Sequence, residues 1–300
     1  MTNYFEFWQH TQKELAEIPL DISRKIIDYP LDTIQVEQVS FLSLLGERIY
    51  GYVLLPKSRG PHPVVIECLG YMNHIQEPWQ FAHWAQVGCA CLVIDNRGQG
   101  GLTKDSVPYQ TVWHEEPLGR GFLSVEDWYQ RRLYADHLRS VEVIRTFDEI
   151  DQDKVLLRGG SQRGGIVLMV NSLTPHPILA TFADVPSHSS LAKRIKDGTG
   201  SYHIITRYLS GNPEAQEKVE RVLPYYDTQH FVSKIKNPVY TSVGSADPIC
   251  PMTEFFPTYH NLKTKKELLV YWNKGHGGGE AKQIRKEMSK IKQILHEVRV

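Results

Sequence analysis

The residues best suited to chemistry in this sequence are a serine among glycines and, further along the chain, an aspartate and a histidine. Gly159-Gly160-Ser161-Gln162 directly follows the apolar run KVLLRG and precedes a helical pattern. A serine on a sharp strand-to-helix turn is lifted out of its sheet, and small neighbours permit the crowded backbone. The segment predicts a nucleophilic Ser161, although the pattern G-x-S-x-G is incomplete because Arg163 stands at its last glycine.

A nucleophilic serine needs a base to take its proton and an acid to orient that base. Asp247 follows the strand-like run VYTSVGSAD, and His276 comes after the last such run, ELLVYW. The order serine, acid, histidine is that of hydrolases with a nucleophile elbow. We therefore predict that Ser161 is the nucleophile, His276 the general base and Asp247 the orienting acid.

Other interpretations of these residues remain open at this point. The three could be a helix-capping serine in a glycine-rich turn, an Asp-Pro turn and an exposed loop histidine. Asp184, after ILATFAD, is a rival acid, and His188 and His203 are rival bases. His276 is preferred because it alone follows the final predicted strand.

Acyl transfer also requires donors for the negative oxygen that forms in the transition state. The backbone N–H of Gln162 opens the predicted helix, and the loop after the early strand PVVIECLG places Tyr71 close to the same sheet edge. Backbone amides at these two places commonly form the oxyanion hole. We expect Tyr71 and Gln162 to supply it, since the run HGGG at 276–279 lies too late in the chain for that role.

Short apolar strands alternate with helical patterns from residue 63 onward, which predicts a mostly parallel sheet with helices on both faces. Residues 3–17 predict an amphipathic helix, and the runs TIQVEQVSF and ERIYGYVLL predict a hairpin within residues 1–60. Residues 97–127 and 186–230 interrupt the alternation as loop insertions. We expect a single α/β domain over residues 1–300.

Composition excludes several classes of protein. Lys plus Arg and Asp plus Glu both number 34 among 300 residues, so the basic excess of a nucleic-acid binder is absent. The sequence contains no apolar run long enough for a membrane span, and MTNYFEFWQH does not resemble a secretion signal. The four cysteines are irregularly spaced, which predicts buried thiols, no metal site and a reducing, cytoplasmic location.

Several motifs together resemble the acetyl xylan esterase and cephalosporin C deacetylase family, carbohydrate esterase family seven. The resemblance covers nearly the whole chain and rests on RGQGG (97–101), GSQ (160–162), WYQRR (128–132), DVP (184–186), Asp247 with Cys250-Pro251, and Gly275-His276. It implies an α/β-hydrolase fold that hydrolyses acetyl esters of small sugars and related alcohols without a cofactor or metal. Members of the family are commonly cytoplasmic and form hexameric rings, so the resemblance also implies a cytoplasmic homo-oligomer with six copies.

Three positions depart from the family pattern. HGY reads Leu69-Gly70-Tyr71, the residue two after Ser161 is Arg163, and Gly277 replaces the glutamate after the histidine. Arg163 either pairs with a nearby acid or faces the pocket and favours anionic substrates. The departures keep two alternatives open: a degenerate hydrolase-fold binding protein, and a peptidase or lactone hydrolase on the same scaffold.

Overall fold

The computed structural model describes residues 4–298, which form a nine-stranded sheet and eight α-helices together with short 3₁₀ helices. The strands are β1 (Ser23–Ile27), β2 (Ile34–Leu42), β3 (Arg48–Pro56), β4 (His62–Glu67), β5 (Ala90–Ile94), β6 (Ile150–Gly160), β7 (Ala180–Asp184), β8 (Val239–Gly244) and β9 (Lys266–Tyr271). The α-helices are α1 (Tyr4–Glu17), α2 (Tyr129–Ile144), α3 (Gln162–Leu173), α4 (Leu191–Asp197), α5 (His203–Gly211), α6 (Gln216–Val222), α7 (Met252–Asn261) and α8 (Glu280–Glu297).

The spatial order of the strands is β1-β2-β3-β5-β4-β6-β7-β8-β9. Strands β4 to β9 are parallel, whereas β1, β2 and β3 extend the sheet in antiparallel fashion, including the predicted β2–β3 hairpin. The chain runs outward from β4 to β5 and then returns to β6 on the other side of β4. The loops after β4 and β6 therefore leave from adjacent strand ends, the arrangement that builds sites in open parallel sheets.

Helices cover both faces of the sheet, because the central strands are apolar on both sides. On one face, Trp8 of α1 and Tyr134 of α2 pack with residues of α3. On the other face, Trp84 of the 3₁₀ helix Pro78–Val87 packs with α8 and with the thiols of Cys89 and Cys91. All four cysteines are buried thiols, as their spacing predicts.

The structure differs from the sequence-based expectations in one strand. Strand β1 was not expected, since its residues SRKII are mostly exposed and show no alternation. The helical stretch that the sequence predicts around Trp79–Val87 is present as the 3₁₀ helix Pro78–Val87. Of the two predicted insertions, 186–230 contains α4, α5 and α6, while 97–127 is largely irregular apart from the short 3₁₀ turn Pro117–Gly119.

Candidate active site

Ser161 occupies a sharp turn between β6 and α3. Its backbone has φ +60° and ψ −126°, a conformation that non-glycine residues rarely adopt. The Ser161 amide donates to the carbonyl of Asp184 at 2.9 Å, which holds the turn against β7. A Cβ at Gly159 would lie 2.5 Å from the backbone of Arg163, so only glycine fits there. The turn therefore has the geometry of a nucleophile elbow.

His276 joins the serine to a carboxylate. Its Nε2 lies 2.8 Å from Ser161 Oγ, and its Nδ1 lies 2.9 Å from Asp247 Oδ2. The other oxygen of Asp247 accepts the amides of Ile249 at 2.8 Å and Cys250 at 2.9 Å. Both carboxylate oxygens therefore accept hydrogen bonds, which fixes the orientation of the carboxylate. The oxygen that faces Ser161 binds His276.

The electrostatics of this arrangement favour an ionised acid and a basic imidazole. The hydrogen bond to Asp247 raises the pKa of His276 above its ordinary value, and Cys250 adds to that effect. Burial acts to raise the pKa of Asp247, but the hydrogen bonds from His276 and the two loop amides outweigh it and lower this pKa. With Nδ1–H donated to Asp247, a neutral His276 presents Nε2 as an acceptor for the serine proton.

The rival residues lie outside this line of contacts. Asp184 is buried, with Oδ1 accepting from Ser242 Oγ at 2.7 Å and Oδ2 from Arg158 at 3.2 Å. His188 is buried against Tyr202, and its Nδ1 lies 2.8 Å from the phenol oxygen. His203 is exposed, and its Nδ1 lies 2.9 Å from the carbonyl oxygen of Gly200.

Both expected oxyanion donors border a small cavity that reaches Ser161. The cavity has a volume of about 20 Å³ and is lined by Ser161, Tyr71, Gln162, His188 and Ile249, among others. As the first residue of α3, Gln162 has a backbone N–H with no partner inside its helix. A volume of roughly 10–15 Å³ holds one water molecule, so this cavity suits a group about the size of a methyl.

A second and larger cavity, of about 290 Å³, opens beside Ser161 and His276 and contains Arg163 and Glu280. Arg163 Nε donates to the carbonyl of Gly160 at 3.1 Å, and Nη1 lies 3.6 Å from the carboxylate of Glu67. Arg163 therefore has an acidic partner, as one of its two interpretations predicts, but it also lines the cavity beside Ser161, as the other predicts, and its side chain is 30% exposed.

The structure also fills the space beside the other departure, Gly277. A Cβ at Gly277 would lie 2.9 Å from Glu280 Oε1, so the carboxylate of Glu280 already occupies that space. A larger side chain at position 277 would have to displace it. The absence of glutamate at position 277 consequently leaves no gap in the loop that carries His276.

Sequence reasoning missed Arg194 of α4, whose side chain is only 2% exposed. Its Nη2 donates to the carbonyl of Ile249 at 2.6 Å and its Nη1 lies 3.5 Å from Glu254. It thereby ties the insertion to the loop that carries Asp247. The sequence offers no signal for this contact, because a Lys-Arg pair on a short polar helix is typical of a solvated face.

The elbow between β6 and α3, with Asp247 after β8 and His276 after β9, defines an α/β-hydrolase. A more particular assignment follows from comparison with known families. The chain belongs to the acetyl xylan esterase (AXE1) family, whose family model matches residues 2–293.

Solved structures and one curated relative agree with this assignment. The acetyl xylan esterase from Paenibacillus sp. R4 is 27% identical, with a TM-score of 0.92, 98% of this chain covered and 94% of that one. Acetyl xylan esterase 1 from Thermoanaerobacterium sp. JW/SL YS485, 24% identical with a TM-score of 0.90 and coverage of 97% and 93%, shows the same fold. The acetyl esterase Axe7A of Xylanibacter ruminicola is 26% identical over 270 residues, 88% of this chain. This chain spans 61% of the length of that relative.

We also searched residues 4–298, the part of the chain that the structure describes, for membrane-spanning helices and metal sites. No helix in that range is long and apolar enough to cross a membrane. Nor does any group of three His, Cys, Asp or Glu side chains there have the arrangement of a metal site.

Proposed function

We propose that this chain is a serine carboxylesterase that removes acetyl groups from small acetylated sugars or related alcohols. The observation that carries the proposal is the continuous line from Asp247 through His276 to Ser161 Oγ, which ends at a cavity of methyl size. Membership of the acetyl xylan esterase family supports the same acyl group. The relative from Paenibacillus sp. R4 is an acetyl xylan esterase, which supports a carbohydrate alcohol for this chain.

In the proposed reaction, Ser161 Oγ attacks the acetyl carbonyl carbon while its proton passes to His276 Nε2. The tetrahedral intermediate collapses when His276 returns that proton to the leaving alcohol oxygen, and the acetyl group stays on Ser161. A water molecule, deprotonated by His276, then attacks the acyl-enzyme and releases acetate. Asp247 keeps the imidazole in the required tautomer and stabilises its charged form, so no cofactor takes part.

The amides of Tyr71 and Gln162 are the proposed donors to the carbonyl oxygen as it becomes negative. Because they border the same small cavity as Ser161, an acyl group bound between them directs its methyl into that cavity. Loss of one such donor typically lowers kcat by about 10²–10³. The arrangement therefore favours acetyl over longer acyl groups and over the bulkier acyl portions of peptides.

The test compares p-nitrophenyl acetate with the butyrate ester. We expect kcat/KM to be at least about tenfold higher for acetate, since methylene groups that do not fit cost roughly 1–3 kcal/mol. Ser161→Ala should abolish turnover, whereas Ser172→Ala, on the same helix and bonded only to Leu168 O within the described residues, should leave it unchanged.

Each alternative function has its own outcome in this comparison. A folded wild type without esterase turnover would support the degenerate binding protein. A preference for peptide or lactone substrates over acetate would support the other hydrolase classes. Deacetylation of cephalosporin C, compared with acetylated xylose, would then define the alcohol portion within the proposed class.

We also propose that the chain forms a cytoplasmic homo-oligomer, a hexamer, that binds neither nucleic acid nor membranes. The buried thiols suit a reducing compartment, and the equal numbers of acidic and basic residues give no excess charge for phosphates. Fractionation of the native cells would test the compartment, because enzyme in the medium would contradict it.

A further inference from the structure

The loop that carries Tyr71 is held by side chains from the loop after β5. Within the loop after β5 (95–99), three polar side chains each bind a main-chain group of the loop that carries Tyr71 (69–75). Asn96 Nδ2 donates to Leu69 O at 3.1 Å, Met72 N donates to Gln99 Oε1 at 2.6 Å, and Ile75 N donates to Asp95 Oδ1 at 2.8 Å. All three side chains are at most 2% exposed, so water does not compete for these contacts.

The two inner contacts enclose one peptide unit. Asn96 holds the peptide unit that begins at the Leu69 carbonyl, and Gln99 holds the unit that ends at the Met72 amide. The unit between them carries the N–H of Tyr71. Its orientation is therefore determined from both sides.

Gln99 has a second connection, to the other proposed oxyanion donor. Its Nε2 donates to Tyr129 Oη at 2.8 Å and lies 3.3 Å from Gln162 Oε1. The Tyr129 hydroxyl in turn donates to the carbonyl of Arg97 at 2.8 Å, which anchors the network to its own loop. One buried amide side chain thus contacts Gln162 and the residue after Tyr71.

The backbone at Met72 explains why such a contact is needed. Met72 has φ +56°, in the left-handed region that non-glycine residues rarely adopt. Half of the Met72 side chain is exposed, so packing contributes little to holding that conformation. Two hydrogen bonds hold it instead: the Met72 amide donates to Gln99 Oε1 at 2.6 Å, and the Asn73 amide donates to the carbonyl of Gly70 at 3.2 Å, which closes the turn. Gln99 supplies the only one of these two contacts that comes from a side chain.

We propose that Gln99 is a positioning residue that sets the oxyanion hole by holding both the Tyr71–Met72 turn and Gln162. The inference rests on the proposed esterase function of Ser161. It gives Gln99 a role in stabilising the transition state, with no contact to the substrate.

Gln99→Met tests the proposal, since methionine has nearly the same length but cannot hydrogen-bond. We expect kcat for p-nitrophenyl acetate to fall by about 10–100-fold with KM changed less than threefold, because oxyanion contacts form mainly in the transition state. Asn171→Ala is the matched control. Asn171 is a buried amide on α3 that binds Thr181 and Asn237, away from the site, so it reports the effect of losing a buried amide on stability.

A tetrahedral inhibitor separates positioning from general loosening. 1,1,1-Trifluoroacetone forms an anionic hemiketal with a nucleophilic serine, and its Ki should rise in Gln99→Met by the same factor as kcat/KM falls. Gln99→Glu adds a pH signature: the protonated side chain resembles glutamine, whereas the ionised one repels the developing oxyanion. Its kcat should therefore fall, relative to wild type, as pH rises through the pKa of the new carboxyl.

These experiments test the role of Gln99 separately from the esterase activity on which that role depends. A wild type without turnover would reject the esterase itself. If the wild type is active, either of two results would overturn the role of Gln99. One is a kcat of Gln99→Met that is no lower than that of Asn171→Ala, and the other is a Ki for trifluoroacetone in Gln99→Met that equals the wild-type value. If Gln99→Met does not fold, the pH dependence of Gln99→Glu decides, and a profile parallel to that of wild type overturns the inference.

Discussion

Asp184 and Asp247 are both buried aspartates near the carboxyl ends of neighbouring strands, and only their partners distinguish them. Asp184 faces Arg158, Ser242 and Gln283, three donors that keep it in place. Asp247 faces two loop amides and the imidazole of His276. The sequence offers both as candidate acids, and only contacts made between distant segments separate them.

Asp247→Asn should keep the fold but lower kcat by about 10⁴, because the imidazole loses the partner that fixes its tautomer. The pKa of His276 is raised chiefly by its hydrogen bond to Asp247, so the rising limb of the kcat/KM profile should also move to lower pH. Steady-state kinetics between about pH 5 and about pH 10 would measure both effects. A larger loss in Asp184→Asn, with Asp247→Asn near wild type, would move the acid to position 184.

Arg163 lies close to the nucleophile, but its charge is opposed by Glu67 at 3.6 Å. Arg163→Gly should therefore leave the ratio of kcat/KM for anionic and neutral acetyl esters within about twofold. The free energy of unfolding should change by no more than about 1 kcal/mol, since relief of the cation at a helix N-terminus offsets the lost bond to Gly160. A selective loss for the anionic ester that shrinks as salt rises would instead show direct recognition of the substrate.

At the scale of elements, periodicity and strand–helix alternation were sufficient to predict the parallel sheet, the hairpin and the helix after Ser161, which is α3 (Gln162–Leu173). The pattern could not predict that Gln283 and Glu287 of α8 are buried. Both polar side chains reach the interior because Arg158 and Asp184 lie opposite them on the sheet. These contacts join residues that are 99 and 129 positions apart in the chain, so the sequence around α8 does not indicate them.

Arg158 contacts two buried glutamates, Glu67 and Glu287, whose pKa values are shifted in opposite directions. Burial acts to raise the pKa of Glu67, but Arg158 at 2.6 Å outweighs it and the pKa is lowered. For Glu287, burial prevails over Arg158 and the pKa is raised well above the ordinary value. Glu67 therefore stabilises the fold as an anion, whereas Glu287 favours its neutral form.

Glu67→Gln should lower the free energy of unfolding at neutral pH by about 3–5 kcal/mol, as loss of one partner in a buried ion pair does. Glu287→Gln should change it by less than about 1 kcal/mol, because glutamine resembles the neutral acid. The lowered pKa of Glu67 contributes stability that is lost as pH falls, and the raised pKa of Glu287 contributes stability that is lost as pH rises. Urea unfolding across pH measures both, and equal losses in the two variants would contradict the assignment.

For the molecule as a whole, one continuous sheet extends from β1 to β9, and it supports the proposal that residues 1–300 form a single α/β-hydrolase domain with insertions at 97–127 and 186–230. The insertions lie near the site, since Arg194 of α4 binds the loop of Asp247 and Tyr71 Oη donates to Glu116 at 3.1 Å. The surfaces that the insertions do not cover remain available for an interface with another copy of the chain.

Several large apolar side chains are exposed, among them Trp272 at 71%, Ile26 at 65% and Trp79 at 57%. An interface between copies in the proposed homo-oligomer would cover some of these side chains, because buried apolar surface stabilises association. Light scattering at micromolar concentration should therefore give a multiple of the 34.5 kDa chain mass, six for the proposed hexamer. In such a ring neighbouring subunits would restrict access to Ser161, so small acetylated sugars should react faster than acetylated polymers. A monomer mass together with equal rates on both substrates would contradict the ring and its selection by size.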